Sequence, residues 1–579
     1  MKHGDSLERG ETRPLLLNKN YSSSNYEDDI SSEVRQGPCL QNKPSNWKAP
    51  KIILGLVYLD SVAFNGVGAN LVVYLQSILH ESSASSAANA STWSGTTYFA
   101  SLVGAVIADS CWGNFKTIKI SLIIYLLGMI TVTLCAFSPS LKPPACEGSS
   151  CHPASAAQNL AFFSGLYLVA FGSGVIKSTT LPFGADQFDD EKPTEREKKG
   201  SFFSWFYLCI TLGFFTSVTL IVWIQQNVDW AFGYGIATCI FLSLGAFLLG
   251  TPTYSLRMPS GSPLKSVLQV VVSSFKKINL EVPKDGSLLY EENKNSHDLA
   301  QQRLAHTDGF RFLDKAAVVS DLDLKDSDSR SSWRLCTVTQ VEELKILLRL
   351  LPIWATGVIY AAACAQLFTT FIQQGSAMNT RIGSFSVPPA SLASFEVICV
   401  MLWVIFYDKI IVPATRSYFR NETGLSLLQR LGIGRFLIIL TMATAALVEA
   451  RRLGSVKTGE PISIMWQLPQ FFIQAGSDVF SNITLLEFFY GQAPERMKST
   501  CTALALLSTS LGSYLSSLIV TLVAVITTRG GEPGWIPDDV NEGHLDYYFL
   551  LWAALCALNF SVYVAFARKY TPKTVIMEA

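Results

Sequence analysis

Asp60 is the residue whose type and setting first suggest chemistry. It is a carboxylate near the middle of an otherwise apolar stretch, Leu54 to Leu75, reading LGLVYLDSVAFNGVGANLVVYL. At helical spacing Val57, Asp60, Ser61 and Phe64 fall at i, i+3, i+4 and i+7 and share one face. An ionisable group in a segment of membrane length is costly, so it faces a polar cavity or a partner. Two roles are open for it: a group on a transport path, or a structural contact between helices. Either role requires helices long enough to cross ~30 Å of hydrocarbon around it.

The rest of the chain supplies them. Of 579 residues, 49% are hydrophobic and 16% charged, and the mean hydropathy is +0.29. Soluble domains carry about a quarter charged residues. Apolar runs recur near 50–76, 92–110, 115–137, 158–180, 202–224 and 229–250. After a polar, charged interruption at 251–342 they resume at 343–371, 388–411, 431–450, 462–490, 499–527 and 546–568. Within the interruption, Pro263 to Pro283 has the pattern of an amphipathic helix lying on the membrane or between halves, and the remainder reads as loop. The expectation is an all-α membrane protein with a cytosolic tail (1–48), an N-terminal six-helix bundle (49–250), a cytosolic central loop (251–342), a C-terminal six-helix bundle (343–568) and a short cytosolic tail (569–579). The first residues lack the apolar run of a signal peptide, so the first span serves as an uncleaved signal. Twelve spans in two sixes is the layout of the major facilitator fold, in which substrate binds near the midplane between bundles.

Several function classes fall away. The net charge is zero, which offers nothing to nucleic acid. There is no nucleophile–base pairing or phosphate loop, no soluble domain to house an enzyme, and no metal-ligand spacing among the six His residues. Neither a metal nor a cofactor is expected.

Lys and Arg set the orientation. They mark the loops after spans two (Lys116, Lys119), four (Lys192, Arg196, Lys198, Lys199), eight (Lys409, Arg416, Arg420) and ten (Arg496, Lys498) as cytosolic. Arg451, Arg452 and Lys457 after span nine run against the rule. On this topology the loop CEGSSC is extracytosolic, where Cys146 and Cys151 suit a small disulfide. The sequon at Asn89, Asn-Ala-Ser, lies on the same side as a candidate glycosylation site. The tail segment Glu11-Thr-Arg-Pro-Leu15-Leu16 has the acidic-dileucine form read by sorting adaptors, and favours the vacuolar over the plasma membrane. Gly104-x4-Asp109-x3-Gly113, between spans two and three, is a candidate gating motif, echoed by Asp408-Lys409 after span eight.

Longer motifs are more specific. Phe183-Gly-Ala-Asp-Gln-Phe188, Phe206-Tyr207-x5-Gly213, Trp333-Arg-Leu-Cys-Thr-Val-Thr-Gln-Val-Glu-Glu-Leu-Lys345, Leu485-Leu-Glu-Phe-Phe-Tyr490, Gly534-Trp-Ile-Pro537 and Gly543-His-Leu-Asp546 resemble the plant nitrate/peptide transporter family. This is the plant branch of the proton-dependent oligopeptide transporters, within the major facilitator superfamily. The resemblance runs from about Trp47 to Tyr570. Leu313-Asp-Lys-Ala-Ala317 and Leu351-Pro-Ile-Trp-Ala-Thr356 look most like the di- and tripeptide-transporting subgroup.

The resemblance implies a transporter of small peptides or similar zwitterions, with protons as a possible second cargo. It also exposes departures. The family's span-one motif, Glu-x-x-Glu-Arg, is Val57, Asp60 and Ser61 here, so one acid is lost, one shortened and the arginine absent. Proton coupling is therefore expected to be weakened or altered. Lys177 matches the lysine that pairs with the span-one acid and the substrate carboxylate, and Asp478 matches the acid that receives a peptide's amino terminus. Glu487 is a further coupling candidate, and Phe64, Tyr207, Trp354, Tyr360 and Trp466 are candidate pocket aromatics. Cys364 stands where a nitrate-transporting relative has histidine, which argues against nitrate. Other cargo (nitrate, a sugar, a hormone, a glycosylated metabolite) and a transport-dead sensor or scaffold stay open at this point.

Overall fold

The computed structural model describes residues 47–144, 152–188, 193–256, 263–283, 286–291, 304, 306–319, 333–383, 385–419, 425–492, 498–529 and 533–570. Cys146, Cys151, Glu11, Leu15 and Leu16 lie outside these, as does the disulfide expected of the first two.

In hydrocarbon, a segment that satisfies its own backbone must be helical or join a closed barrel. This chain takes the first course. The first half contains α1 (Lys48–Gly68), α2 (Ser83–Ile107), α3 (Gly113–Phe137), α4 (Ala156–Ala185), α5 (Pro193–Thr216), α6 (Trp230–Ala237) and α7 (Ile240–Leu249). Next comes α8 (Pro263–Lys276), within the polar interruption. The second half contains α9 (Val338–Cys364), α10 (Ala393–Phe406), α11 (Leu427–Thr458), α12 (Leu468–Asp478), α13 (Thr484–Gln492), α14 (Lys498–Thr527) and α15 (Leu545–Lys569). Among the described residues, ten helices are long and apolar enough to cross a membrane. One of these, Ser83–Phe137, has 55 residues, about twice what one crossing needs, and is two spans. Gly113, with φ 72°, breaks it into α2 and α3. The α12–α13 stretch is as long as a span but carries Gln470, Gln474, Ser477, Asp478 and Asn482, which lower its hydropathy. The helices that carry the spans expected from 92 and 202 begin more than two turns earlier, at Ser83 and Pro193, although the second apolar span itself begins at Ser201. The added turns are serine-rich or charged, and Ser82 caps the first by accepting from the Ser85 N–H.

Close helix approach is made at glycines. A Cβ on Gly174 of α4 would lie 2.2 Å from the Thr97 carbonyl oxygen of α2, and one on Gly213 of α5 would lie 2.7 Å from that of Tyr58 in α1. These two crossings hold α4 and α1 at the depths where Lys177 and Asp60 project.

The halves meet along α2 and α14 through hydroxyls. Thr92 donates to Ser517 at 2.8 Å, Ser510 donates to the Gly95 carbonyl at 2.8 Å, and Thr96 pairs with Tyr514 at 3.0 Å. At the end remote from α8, an apolar patch joins Ala69, Val218 and Val222 to Ile372, Ala390 and Ala393.

The interruption is more structured than a loop. α8 buries Val270 with Leu313, Ala316, Cys336, Val341 and Leu344, at the foot of α9. Buried Lys345 of α9 fastens this unit, with Asp314 at 2.7 Å and Glu342 at 2.8 Å. A Thr337–Gln340 capping box starts α9 beneath it.

Candidate functional site

On the face of α1 predicted to carry chemistry, Asp60 is buried. Its Oδ2 is 3.1 Å from Lys177 Nζ of α4, and its Oδ1 accepts from Ser173 at 2.7 Å. Lys177 also donates to Ser173 Oγ at 3.0 Å, closing a triangle. A lysine ammonium left alone at this depth would be costly, and the carboxylate offsets that cost. One turn along α1, the Phe64 ring lies beneath Lys177 Nζ, 4.0 Å from centroid to nitrogen, and stacks on Trp93 at 4.9 Å. The cation therefore has a carboxylate on one side and an aromatic face on another.

Phe64 and Trp93 form one wall of a cavity of about 430 Å³ between the two halves. Asp60 and Lys177 are not among its lining residues, and Lys177 packs over the Phe64 ring. The opposite wall belongs to the second half and is acidic. Asp478, the last residue of α12, precedes a π-helical turn, Val479–Ile483, a distortion common at functional positions. Its carboxylate accepts from Tyr360 at 3.0 Å, Asn482 at 2.7 Å and Gln474 at 3.2 Å, with Cys364 Sγ at 3.8 Å. Beside it lies Glu396 of α10, 7% exposed, its carboxyl near that of Asp478. Both acids, with Cys364 and Gln474, line the cavity.

Sequence reasoning missed Glu396. The signal was present, since a lone glutamate in the apolar run 388–411 meets the same test that singled out Asp60.

Other predicted residues lie elsewhere. Glu487 is 53% exposed in its side chain and pairs with Arg430 at 2.8 Å, away from the cavity lining. Tyr207 is exposed on α5, and Trp466 is half exposed, with Arg451 over its ring. Trp354 donates to the Leu504 carbonyl, tying α9 to α14. Asn89 stands inside α2, its amide donating to Glu81 at 2.9 Å, while Ser91 is buried against Ser516. A helical, packed sequon is unsuited to glycosylation, which takes place on exposed loops. Gly104 meets α4 so closely that a Cβ would be 2.8 Å from Val175 Cγ1. Asp109 falls in the π-helical turn Ala108–Trp112, ahead of Gly113.

The motifs and this architecture have their counterpart among known proteins. A protein-family model described as the POT family matches residues 115–536. The chain belongs to the POT family. Its similarity to Protein NRT1/PTR FAMILY 8.3 of Arabidopsis thaliana is 48% identity over 95% of both chains. To Protein NRT1/PTR FAMILY 8.5 of the same plant it is 46%, over 96% of this chain and 95% of the relative. Among solved structures, the in meso crystal structure of the POT family transporter PepTSo aligns with a TM-score of 0.68 at 21% identity, covering 91% of this chain and 99% of that one. A POT family transporter in complex with 5-aminolevulinic acid aligns at 0.61 and 12% identity, covering 90% and 96%. At such identities the structural likeness is one of fold. The protein is thus a multi-pass membrane transporter of the POT family with a major facilitator-type fold, and not an enzyme.

Proposed function

We propose that this POT-family protein carries small peptides, or small metabolites that are likewise zwitterionic, by alternating access of the cavity between its halves, with proton coupling altered from the family's usual form. The observation that carries this reading is the cavity's polarity. One wall presents two acids with no Lys, Arg or His ion-paired to either among the described residues, and the other presents the Phe64 ring that packs against Lys177. A ligand with a cationic end and an anionic end matches both walls. A simple anion such as nitrate meets carboxyls on entering.

Transport is then either facilitated diffusion or coupled through Asp60 and Asp478 alone, because the span-one acid and arginine of the family pattern are Val57 and Ser61 here. Two-electrode recording in oocytes, with a dipeptide panel and acid steps, tests this. Dipeptide flux with currents that depend weakly on external pH is the expected result. Uptake of nitrate or a sugar without competition from dipeptides overturns the cargo, and full proton-driven accumulation surviving Asp60→Asn overturns the coupling. The acidic-dileucine segment Glu11, Leu15 and Leu16 supports delivery to the vacuolar membrane. A fluorescent fusion should mark that membrane and move to the cell surface on Leu15→Ala/Leu16→Ala.

A further inference from the structure

The α8 end of the second half holds a basic pocket that the transport reading does not use. It is a cleft of about 160 Å³ between α9 and α15, lined by Arg349, Pro352, Ile353, Phe566, Lys569 and Tyr570. That lining contains two cations and no acid. Arg349 is anchored from behind: its Nη2 donates to the Thr307 hydroxyl and lies 3.9 Å from Glu342, a carboxylate already bonded to Lys345 at 2.8 Å. Its Nε and Nη1 groups have no hydrogen-bond partner among the described residues. Lys569, the last residue of α15, is exposed and forms no ion pair among the described residues, and Arg568 adds a further charge to the same helix end. Tyr570 fixes the far wall, its hydroxyl donating to Gln492 at 3.1 Å and its ring packing on Phe488 at 5.4 Å.

An apolar row leads up to this pocket. On α15, Leu558, Val562 and Phe566 stand four residues apart and are 65%, 40% and 43% exposed. On a membrane-spanning helix such a row faces lipid tails. It ends at Lys569, three residues past Phe566 and therefore on the same face. We propose that the pocket seats the phosphate of an anionic phospholipid, whose acyl chains lie along the row from Leu558 to Phe566. Arg349 offers a planar fork that matches two phosphate oxygens, and Lys569 a mobile point charge that reaches the same group from the rim. Basic pockets between transmembrane helices on the cytosolic side hold acidic head groups in this way, and the Lys and Arg pattern assigns the α8 end to the cytosol. A free anion would use the two cations and leave the apolar row bare. A zwitterionic lipid brings a cationic group that the same two charges repel. Because α9 also places Cys364 in the wall of the transport cavity, the lipid would sit on a helix that lines the substrate path.

Native mass spectrometry of the full chain, purified in detergent and stripped of lipid, counts bound lipid directly. Palmitoyl-oleoyl phosphatidylglycerol should bind on the order of tenfold more tightly than palmitoyl-oleoyl phosphatidylcholine. Lys569→Gln should weaken phosphatidylglycerol binding about fivefold, the contribution of one cation near a membrane surface, and Arg349→Gln/Lys569→Gln roughly 25-fold. Lys457→Gln, exposed on the last turn of α11, should bind as the wild type does. Equal affinity for the two lipids, or equal losses in Lys457→Gln and Lys569→Gln, overturns the proposal. Arg349 also contacts the folded unit at the foot of α9, so the single change at exposed Lys569 keeps the test independent of folding. Melting temperature separates the lipid from a free anion. Phosphatidylglycerol should raise it, more at low salt than at high, and inorganic phosphate at the same concentration should not. Equal stabilisation by inorganic phosphate means a free-anion site and overturns the lipid.

Discussion

A lysine at membrane depth is only as stable as its counter-charge. Lys177 has Asp60 at 3.1 Å and Ser173 at 3.0 Å, and Asp60 has no other cation within ion-pair distance among the described residues. Asp60→Asn should therefore cost on the order of 3–5 kcal/mol, as removing one member of a buried pair does. The double change Asp60→Asn/Lys177→Gln should recover most of that loss, read as melting temperature in detergent. If the single and double variants melt together, the pair contributes no coupling energy. This pair was legible from sequence through the family pattern, since Asp60 interrupts an apolar run and Lys177 matches a motif position. Tyr207, Trp354 and Glu487 were not, because an aromatic or acid on a helix fits a pocket, a helix contact or a surface pair equally well. Only the azimuth of each helix separates these outcomes, and a helix embedded all round in apolar surroundings leaves little periodic pattern from which to read it.

Among the elements, glycine sets the spacing. Gly174→Ala would put a methyl 2.2 Å from the Thr97 carbonyl, so α4 must move off α2. The expected cost is about 1–3 kcal/mol, with a matching fall in melting temperature and in flux. Gly235→Ala, with nothing within 4 Å of the new carbon, should leave both close to wild type. The π-helical turns form a second device at this scale. Ala108–Trp112 ends α2 and holds Asp109; Tyr407–Ile411 follows α10 and holds Asp408 and Lys409. The two short motifs that looked like weak echoes of each other thus share a backbone form, which a Gly–Asp spacing alone could not disclose. The folded unit at the foot of α9 was equally hidden, since its polar residues read as loop while its ionic core is made by residues distant in sequence. Lys345→Met removes the fully buried cation shared by Asp314 and Glu342, leaving them His306 at 3.2 Å and Arg349 at 3.9 Å, and should cost on the order of 3 kcal/mol. The matching observation is faster proteolysis in the segment 306–319 than in the wild type.

For the whole molecule, alternating access means that one set of contacts between halves must part while another forms. The patch of Ala69, Val218, Val222, Ile372, Ala390 and Ala393 closes the end remote from α8. Val218→Asp places a charge in that seam and should favour the opposite arrangement. Cys364 in the cavity wall reports on it: a membrane-impermeant maleimide applied from that end should label Cys364 faster in the variant than in the wild type. Unchanged labelling would mean that this patch does not hold the end shut. At this scale the sequence was most informative, because length and apolarity alone mark a crossing and six plus six of them leave few arrangements. Its weakest point was the polar span that became α12 and α13, which sits where the cavity needs hydrophilic groups.

The row of hydroxyls between α2 and α14 bears on speed. Ser91, Thr92, Thr96, Ser510, Ser516 and Ser517 repeat one kind of donor and acceptor at helical intervals, and two of them, Thr92 and Thr96, also bond back to their own helix. When the helices tilt, a hydroxyl that loses one neighbour meets another of the same kind a turn away, or turns back to its own backbone. A seam of ion pairs would have to rupture strong bonds at each reversal. This one exchanges like for like, so the two halves can rock with little friction at the surface where they touch most.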